Sequence, residues 1–500
     1  MSNRLLHLAV AALVIITALF VYWQTLAPSI TWQHGGADSG DLAAAVATLG
    51  VAHPPGYPTY ILAGYAWSRL PLGGDLAYRL NLFSAVGAAL AAGLTALTVI
   101  NLARSPIDRR AEPTQAVDSN PWPAVIGAAA AGLFLAFAPL TWSQATITEV
   151  YAPGLAALCL LNWLVLKGRP APSEMVLIVA GVVTGLGFGL LPQIILVGPG
   201  IGLLLIAGQG LSLRFWRRMG LFLFGATLGI SVFLYLPLRS ASHPYVNWGD
   251  PTTPDRFWAV VTAAQYHQYL GLLGPADWLS RLYDSANQLQ QGLSWSGLAL
   301  AALGGYVLWG KHRFALAYLL ILIGLTTLFR IVYPAIGNVV YLLPTVACLT
   351  VLIGVGVAWL LANINAQVGP AGLAVVGFSI LLTLGIRVNL LIPQFDLSRE
   401  HEAVRFGQAT LAELPPQAVV LSEQDETTFS LWYQQALGRR PDVVVVDTRL
   451  LQFDWYQRQL ILRYPDLTFT TGTSPALNAD RPIFELTGEP ERQLSQLTAE

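Results

Sequence analysis

The chain has 500 residues, of which 54% are hydrophobic and 11% charged, with a formal net charge of −1. Soluble chains carry roughly a quarter charged residues, so this composition disfavours a water-soluble enzyme and a disordered chain. The near-neutral balance argues against a nucleic-acid partner, and Cys159 and Cys348, both in apolar runs, supply neither a disulfide framework nor a metal cluster.

From Met1 to about Leu391 the chain is a succession of apolar runs of roughly 16–24 residues, about what a bilayer crossing needs. About eleven spans are predicted on this basis. They are Leu5–Leu26, Arg79–Ala103, Trp122–Leu140, Tyr151–Leu166, Met175–Leu190, Gln193–Gly208, Met219–Pro237, Trp295–Leu308, Phe314–Val332, Val340–Leu361 and Ala371–Leu391. Leu5–Leu26 lacks a small-residue cleavage site and reads as a retained helix. Tyr57–Leu70 is shorter and opens among prolines, so it reads as re-entrant or interfacial. Gly185-Leu186-Gly187-Phe188-Gly189 lies within a span with no preceding strand, which favours helix packing over a dinucleotide loop.

Basic residues sort these spans. Arg104, Arg109 and Arg110, Lys167 and Arg169, Arg214, Arg217 and Arg218, and Lys311 and Arg313 fall in alternate short loops. The positive-inside rule makes those loops and the N-terminus cytoplasmic. The longer intervening segments, 27–78 and 238–294 above all, then face outward. The expected location is the plasma (inner) membrane.

The polar clusters of the membrane part collect on that outer side. Asp38 and Asp41 follow the first span. Their spacing suits a helix cap before Leu42–Ala47, and equally a carboxylate general base at a membrane-level site. His53-Pro54-Pro55-Gly56-Tyr57-Pro58 is a stiff turn, whose His53 and Tyr57 are candidate substrate contacts. Glu149 is the acid of its loop and a candidate second base or ligand. Gln193 sits in a short outer turn, and Asn247, Trp248 and Asp250 form a polar and aromatic string. Arg239, Arg256 and Arg330 are outer cations suited either to a lipid phosphate or to interfacial snorkelling. Asp38, Asp41 and Glu149 are hard oxygen donors compatible with a divalent metal, although no preassembled carboxylate cluster demands one.

Charge returns to normal density after Pro393, which divides a membrane domain, 1–392, from a soluble domain, 393–500. The pattern predicts a helix over Arg399–Leu414, a strand over Ala418–Ser422, a helix over Thr427–Leu437 and a strand over Asp442–Val446. A helix over Trp455–Arg463 and strands near Leu467–Thr471 and Pro482–Leu486 follow. This reads as a small α/β domain with βαβ character. Asp425 and Glu426 follow the first strand, where helix capping is favoured over ligand binding.

Several of these strings resemble a known family: Asp38-Ser39-Gly40-Asp41, Leu49-Gly50-Val51-Ala52-His53-Pro54-Pro55-Gly56-Tyr57-Pro58, Asn81-Leu82-Phe83-Ser84-Ala85, Glu149-Val150-Tyr151, Tyr235-Leu236-Pro237-Leu238-Arg239-Ser240 and Asn247-Trp248-Gly249-Asp250-Pro251. Leu431-Trp432-Tyr433, Arg440-Pro441-Asp442-Val443 and Asp454-Trp455-Tyr456 extend the match into the soluble part. They resemble the domain-of-unknown-function 2723 family, also classed as glycosyltransferase family 117, whose animal member is a protein O-mannosyltransferase. The resemblance implies a GT-C fold, a polytopic helical bundle with its active site on the outer leaflet. It also implies a polyprenyl-phosphate sugar donor and an acidic residue in the first outer loop, here Asp38 or Asp41, with Asp38 favoured. The family usually has Glu where this chain has Asp41, and often His where Leu191-Pro192-Gln193 stands.

The expected function is transfer of a sugar from such a donor to a hydroxyl of a protein, glycan or lipid. Asp38 would take the hydroxyl proton, and Arg239 or another outer Arg would meet the leaving phosphate. A transporter or flippase of lipid-linked glycans would need ionisable residues within the spans. A non-catalytic envelope binding protein would tolerate loss of Asp38.

Overall fold

A computed structural model of the chain describes residues 3–104, 120–167, 172–270, 273–335, 337–469, 477–478, 481–487 and 493–497. Arg109, Arg110, Arg169 and the ends of some expected strands, Thr470 and Thr471 among them, lie outside the described residues. Every one of the eleven apolar stretches is helical. Seven helices are long and apolar enough to cross a membrane, and a bent pair can act as an eighth span. Tyr151–Val165, Glu174–Phe188 and Pro192–Ala207 are shorter apolar helices. The chain is an integral membrane protein with a mainly helical bundle and a small sheet.

Two elements depart from the pattern-based boundaries. Trp122–Ala136 and Pro139–Ala145 meet at 63° rather than forming one straight span. Pro139 cannot continue the helix and holds Ala138 in an extended conformation (φ −64°, ψ 131°). The helix expected over Trp295–Leu308 begins at Pro275 and runs to Lys311, with a break at Ser294 (φ 62°, ψ 162°). Hydropathy alone missed its polar first half.

Small residues set the helix contacts. A Cβ on Gly181 would lie 2.1 Å from the Phe222 carbonyl oxygen, and one on Gly225 would lie 2.2 Å from that of Ile178. Helices Glu174–Phe188 and Leu213–Ile230 therefore touch backbone to backbone, the small-residue packing expected in a bilayer. Leu343–Val368 runs through the middle of the bundle, whereas Pro370–Phe395 keeps most of its surface exposed, as a lipid-facing helix does.

Pro370–Phe395 continues through Pro393, and the chain then ties back to the first span by Leu397 N–H to the Thr25 carbonyl, 3.0 Å. The C-terminal part contains the expected βαβ unit: Val419–Ser422, helix Asp425–Ala436 and Val444–Asp447, with the two strands parallel. The sheet order is Val444–Asp447, Val419–Ser422, Ile483–Thr487, Gln493–Leu497, and its last pair is antiparallel.

This sheet and its helices share one apolar core with the segments around Leu42–Tyr60 and Val246–Trp248. Leu42, Val46, Val51, Tyr60 and Trp248 pack in the same cluster as Val419, Trp432 and Val444. One close approach is at Gly40, where a Cβ would meet the Phe429 carbonyl oxygen at 2.4 Å. Gly40→Ala is accordingly expected to cost about 1–3 kcal/mol by overpacking, although Gly→Ala in an open helix gains up to ~1 kcal/mol. Thermal melting of the purified variant measures the sign.

Candidate active site

The first span leads into a short 3-10 turn, Gln33–Asp38, in which His34 (φ 60°) and Gly35 (φ 75°) adopt left-handed conformations. The Ser39 hydroxyl donates to the Thr31 carbonyl, 3.0 Å, and helix Ser39–Thr48 starts there. Asp38 occupies the N-cap position but its side chain makes no capping hydrogen bond. The capping role that its spacing allowed is therefore not used, and its carboxylate points elsewhere. Asp41, three residues on, is fully buried.

Asp41 is where two distant sequence strings meet. Its carboxylate accepts from the His53 backbone N–H at 3.1 Å, lies 2.7 Å from His53 Nδ1, and accepts from Trp248 Nε1 at 2.8 Å. The segment around Trp248 is also laced to the His53 turn through backbone bonds between Val51 and Val246 and between Trp248 and Val51. With three donors and no exposure, Asp41 cannot reach a substrate. It fixes the His53 ring, whose Nε2 stands 3.7 Å from Asp38 Oδ2. The Asp38 side chain is 37% exposed, against 11% for His53.

The electrostatics separate the roles. Burial pushes the Asp38 carboxyl up to about 6, opposed by the His53 charge and reinforced by Asp425, Asp41 and Glu426. Burial disfavours the His53 imidazolium, but Asp38, Asp41 and Glu149 outweigh it and carry His53 up to about 10. At neutral pH His53 thus keeps its proton and cannot act as base, while Asp38 is ionised and can. Glu149 is buried, and its carboxyl is held well above the ordinary range by burial first and by Asp38 second. Burial likewise raises the Tyr57 hydroxyl, with Tyr341, Asp38, Glu149 and Tyr266 as its electrostatic neighbours. Its ring stands edge-on to His53 at 5.2 Å.

Other expected contacts take different partners. The Arg239 guanidinium is used on the backbone, with Nε to the Leu49 carbonyl at 2.8 Å and Nη2 to that of Thr48 at 3.2 Å. It caps the end of the Asp41 helix. Arg256 pairs with Asp250, which also accepts from the Ser240 hydroxyl at 2.9 Å. Arg330 is buried, donates through Nη1 to the Arg281 carbonyl and the Ser285 hydroxyl, and keeps a buried Nε without a partner among the described residues. Gln193 is buried with neither amide atom partnered among them, and Asn247 Oδ1 is unpartnered too. No cluster of three or more His, Cys, Asp or Glu that could hold a metal occurs among the described residues.

The sequence strings contained Asn81, Ser84 and Tyr433 but gave no role to these residues, which build the site from behind. Asn81 donates to the Ala27 and Ser29 carbonyls and accepts from Thr148, while Ser84 bonds the Glu149 backbone. Two polar residues three apart in an apolar helix were the available signal. The helix Asp425–Ala436 covers the Asp38 turn. Trp32 Nε1 donates to the Glu426 carbonyl at 2.9 Å, and the Tyr433 hydroxyl accepts from Ala77 N–H at 3.2 Å. Asp425 pairs with Arg449 rather than capping its helix, whose N-cap is Gln424.

The multi-span bundle with a C-terminal α/β layer has the GT-C fold. The crystal structure of ArnT from Cupriavidus metallidurans in the apo state superimposes with a TM-score of 0.55 at 14% identity, covering 93% of this chain and 96% of that one. The form bound to undecaprenyl phosphate gives 0.54 at 14% identity, covering 93% and 97%. Residues 38–211 match the family model for the protein O-mannosyl-transferase TMEM260 N-terminal domain, and residues 403–466 match TMEM260-associated domain 2. These two windows hold Asp38, Asp41, His53 and Glu149 on one side and Asp425, Glu426 and Trp432 on the other. Protein O-mannosyl-transferase TMEM260 of Mus musculus is 27% identical over 464 residues, covering 87% of this chain. The chain spans 62% of the length of that relative. The Dictyostelium discoideum protein O-mannosyl-transferase tmem260 is 32% identical over 94 residues, 18% of this chain and 11% of its own.

Proposed function

We propose that this chain is a membrane hexosyltransferase, similar in activity to the protein O-mannosyltransferases. It would take a sugar from a polyprenyl-phosphate donor and attach it to a hydroxyl of a protein, glycan or lipid at the outer membrane face. The observation that carries this reading is the division between the two aspartates: Asp41 buried and saturated with donors, Asp38 partly exposed and 3.7 Å from His53 Nε2. The acceptor oxygen attacks the anomeric carbon as Asp38 takes its proton. The bond from that carbon to the phosphate oxygen breaks, and the polyprenyl phosphate leaves with the electron pair. The mouse relative's activity and the undecaprenyl phosphate bound by ArnT support the donor class. The basic inner loops support an outward-facing site in the plasma membrane. The DUF2723 and glycosyltransferase family 117 assignments stand with this reading.

Arg239, Arg256 and Arg330 all have partners, but Arg330 keeps a buried Nε unpartnered among the described residues, and we assign it to the leaving phosphate. Stacked Phe329 and Tyr333 (5.5 Å) and the Tyr333–Tyr341 contact (5.8 Å) link its helix to the tyrosines around Asp38. Arg330→Gln is expected to raise the donor KM about ten- to a hundred-fold, the worth of a charged hydrogen bond, while Gln keeps a donor for the Arg281 carbonyl. Steady-state kinetics at varied donor concentration measures it.

The pH profile follows from Asp38. Activity is expected to rise with pH through about 6, as the carboxylate ionises, and to persist until His53 loses its proton near 10. A pH–rate profile whose acid limb falls near the ordinary carboxylate value of about 4 would contradict Asp38 as the base. The overall test is incubation of reconstituted protein with a panel of polyprenyl-phosphate hexoses and hydroxyl acceptors. Product with one donor is expected. A folded protein that transfers from none of them overturns the proposal.

A further inference from the structure

Arg330 lies in the last turn of helix Arg313–Val332 and reaches across to the first half of helix Pro275–Lys311. Its Nη1 donates to the Arg281 carbonyl and, at 2.7 Å, to the Ser285 hydroxyl one turn further along. These bonds hold a second guanidinium near the first, since the Arg281 charge acts on Arg330. Both side chains keep a buried Nε without a partner among the described residues. Neither takes part in an ion pair among them. Asp284 is the acid that acts on Arg330, but it is exposed and pairs with neither arginine. Asp277 is turned to the Gly274 N–H at 2.9 Å.

Two like charges held together repel, the more so where protein displaces the water around them. Water satisfies an orphan N–H but leaves that repulsion in place, and a cation adds to it. An anion answers both the repulsion and the orphan donors. The Nε of a guanidinium belongs to an edge with two parallel N–H groups, the geometry that pairs with phosphate oxygens. The same half-helix exposes Trp278, Leu279, Leu282 and Tyr283, a mixture suited to a bilayer interface. A phosphate carried on a lipid chain fits this setting better than one free in water.

We infer that Arg281 is a second phosphate ligand beside Arg330, and that the pair binds a lipid-borne phosphomonoester, the form that sugar transfer leaves behind. This rests on the assignment of Arg330 to the leaving phosphate and extends it. As the bond from the anomeric carbon breaks, the phosphate oxygen keeps the electron pair. A singly charged diester thereby becomes a monoester of about −1.5 to −2. A site with two guanidiniums gains most from that second charge, so it favours product over donor and makes released polyprenyl phosphate an inhibitor.

The test measures binding of labelled undecaprenyl phosphate to full-length protein in detergent. Undecaprenyl methyl phosphate, phosphatidylglycerol and inorganic phosphate serve as competitors. The wild type is expected to bind the monoester about ten-fold more tightly than the methyl diester, with the other two competing only weakly. Arg281→Gln is expected to weaken monoester binding about ten- to a hundred-fold, the worth of a charged hydrogen bond, and to narrow the gap to the diester. Arg281→Lys keeps the charge without the fork and should retain part of the preference. Both variants preserve the backbone carbonyl that Arg330 uses, so both should melt like the wild type. Unchanged monoester affinity in folded Arg281→Gln overturns the inference, and the Arg330 assignment survives if Arg330→Gln still weakens binding. Equal wild-type affinity for monoester and diester also overturns it, whatever the variants do. So does equal competition by phosphatidylglycerol or inorganic phosphate. No transfer takes place in these measurements, so a failure of the transferase reading shows separately, in the donor panel.

Discussion

Asp41→Asn is expected to lower the stability of the folded chain by about 3–5 kcal/mol, the usual penalty for removing one partner of a buried charged pair. Asp41 holds three donors from two segments, His53 and Trp248, the latter 207 residues away in sequence. An amide replaces one of the two acceptor oxygens with an N–H, so at least one of the three buried donors meets a donor instead of an acceptor. The loss extends into the C-terminal domain, because Trp248 packs on Phe429, Trp432 and Trp455. Part of this stability is pH-dependent. The folded chain raises His53 from its ordinary 6.5 to about 10. The gain from its charge is therefore fully present below about 6.5 and is lost as pH rises through about 10. Thermal melts across this range should show the wild type losing stability toward high pH, with a shallower slope in Asp41→Asn.

Asp38→Asn is expected to do the reverse: keep the fold and lose the chemistry. The rate of transfer should fall about 10²–10⁴-fold, the contribution of a positioned general base. Asp38 makes no capping bond, its ion pair with His53 is long at 3.7 Å, and a third of its side chain is open. Folding also raises its pKa from 3.8 to about 6. For an acid this sign means that stability is lost as pH rises from the ordinary value through about 6. At neutral pH the neutral asparagine should thus melt no lower than the wild type, a site that trades stability for function. A large loss of both melting temperature and activity would assign Asp38 to structure instead.

Much of this site was legible in the sequence, and the missing parts share a physical cause. The apolar runs gave eleven helical stretches, of which seven helices, or eight with the bent pair, are long enough to cross, and Val443–Val446 gave a buried parallel strand, because hydrophobic periodicity is local. The residue strings around Asp38, His53 and Trp248 marked the place. The residues alone left Asp38 and Asp41 both open and the resemblance favoured Asp38; what separates the two in the fold is the set of donors brought from elsewhere to Asp41. The same holds for Arg239, whose guanidinium serves carbonyls 190 residues away. The contribution of the C-terminal helix was hidden in a single Gly40, ordinary in sequence and decisive only where Phe429 presses on it. Asp425 and Glu426 read as caps because their spacing suits capping. Only the fold shows them beside Asp38.

As general base, Asp38 takes the proton of the acceptor hydroxyl and does not help to bind the lipid-phosphate sugar. The most direct measurement loads wild type and Asp38→Asn with the same labelled polyprenyl-phosphate hexose, measures donor binding, then adds a hydroxyl acceptor and follows single-turnover transfer. Equal donor affinity, with transfer by the wild type alone, is the predicted result. Transfer by Asp38→Asn at the wild-type rate would contradict it.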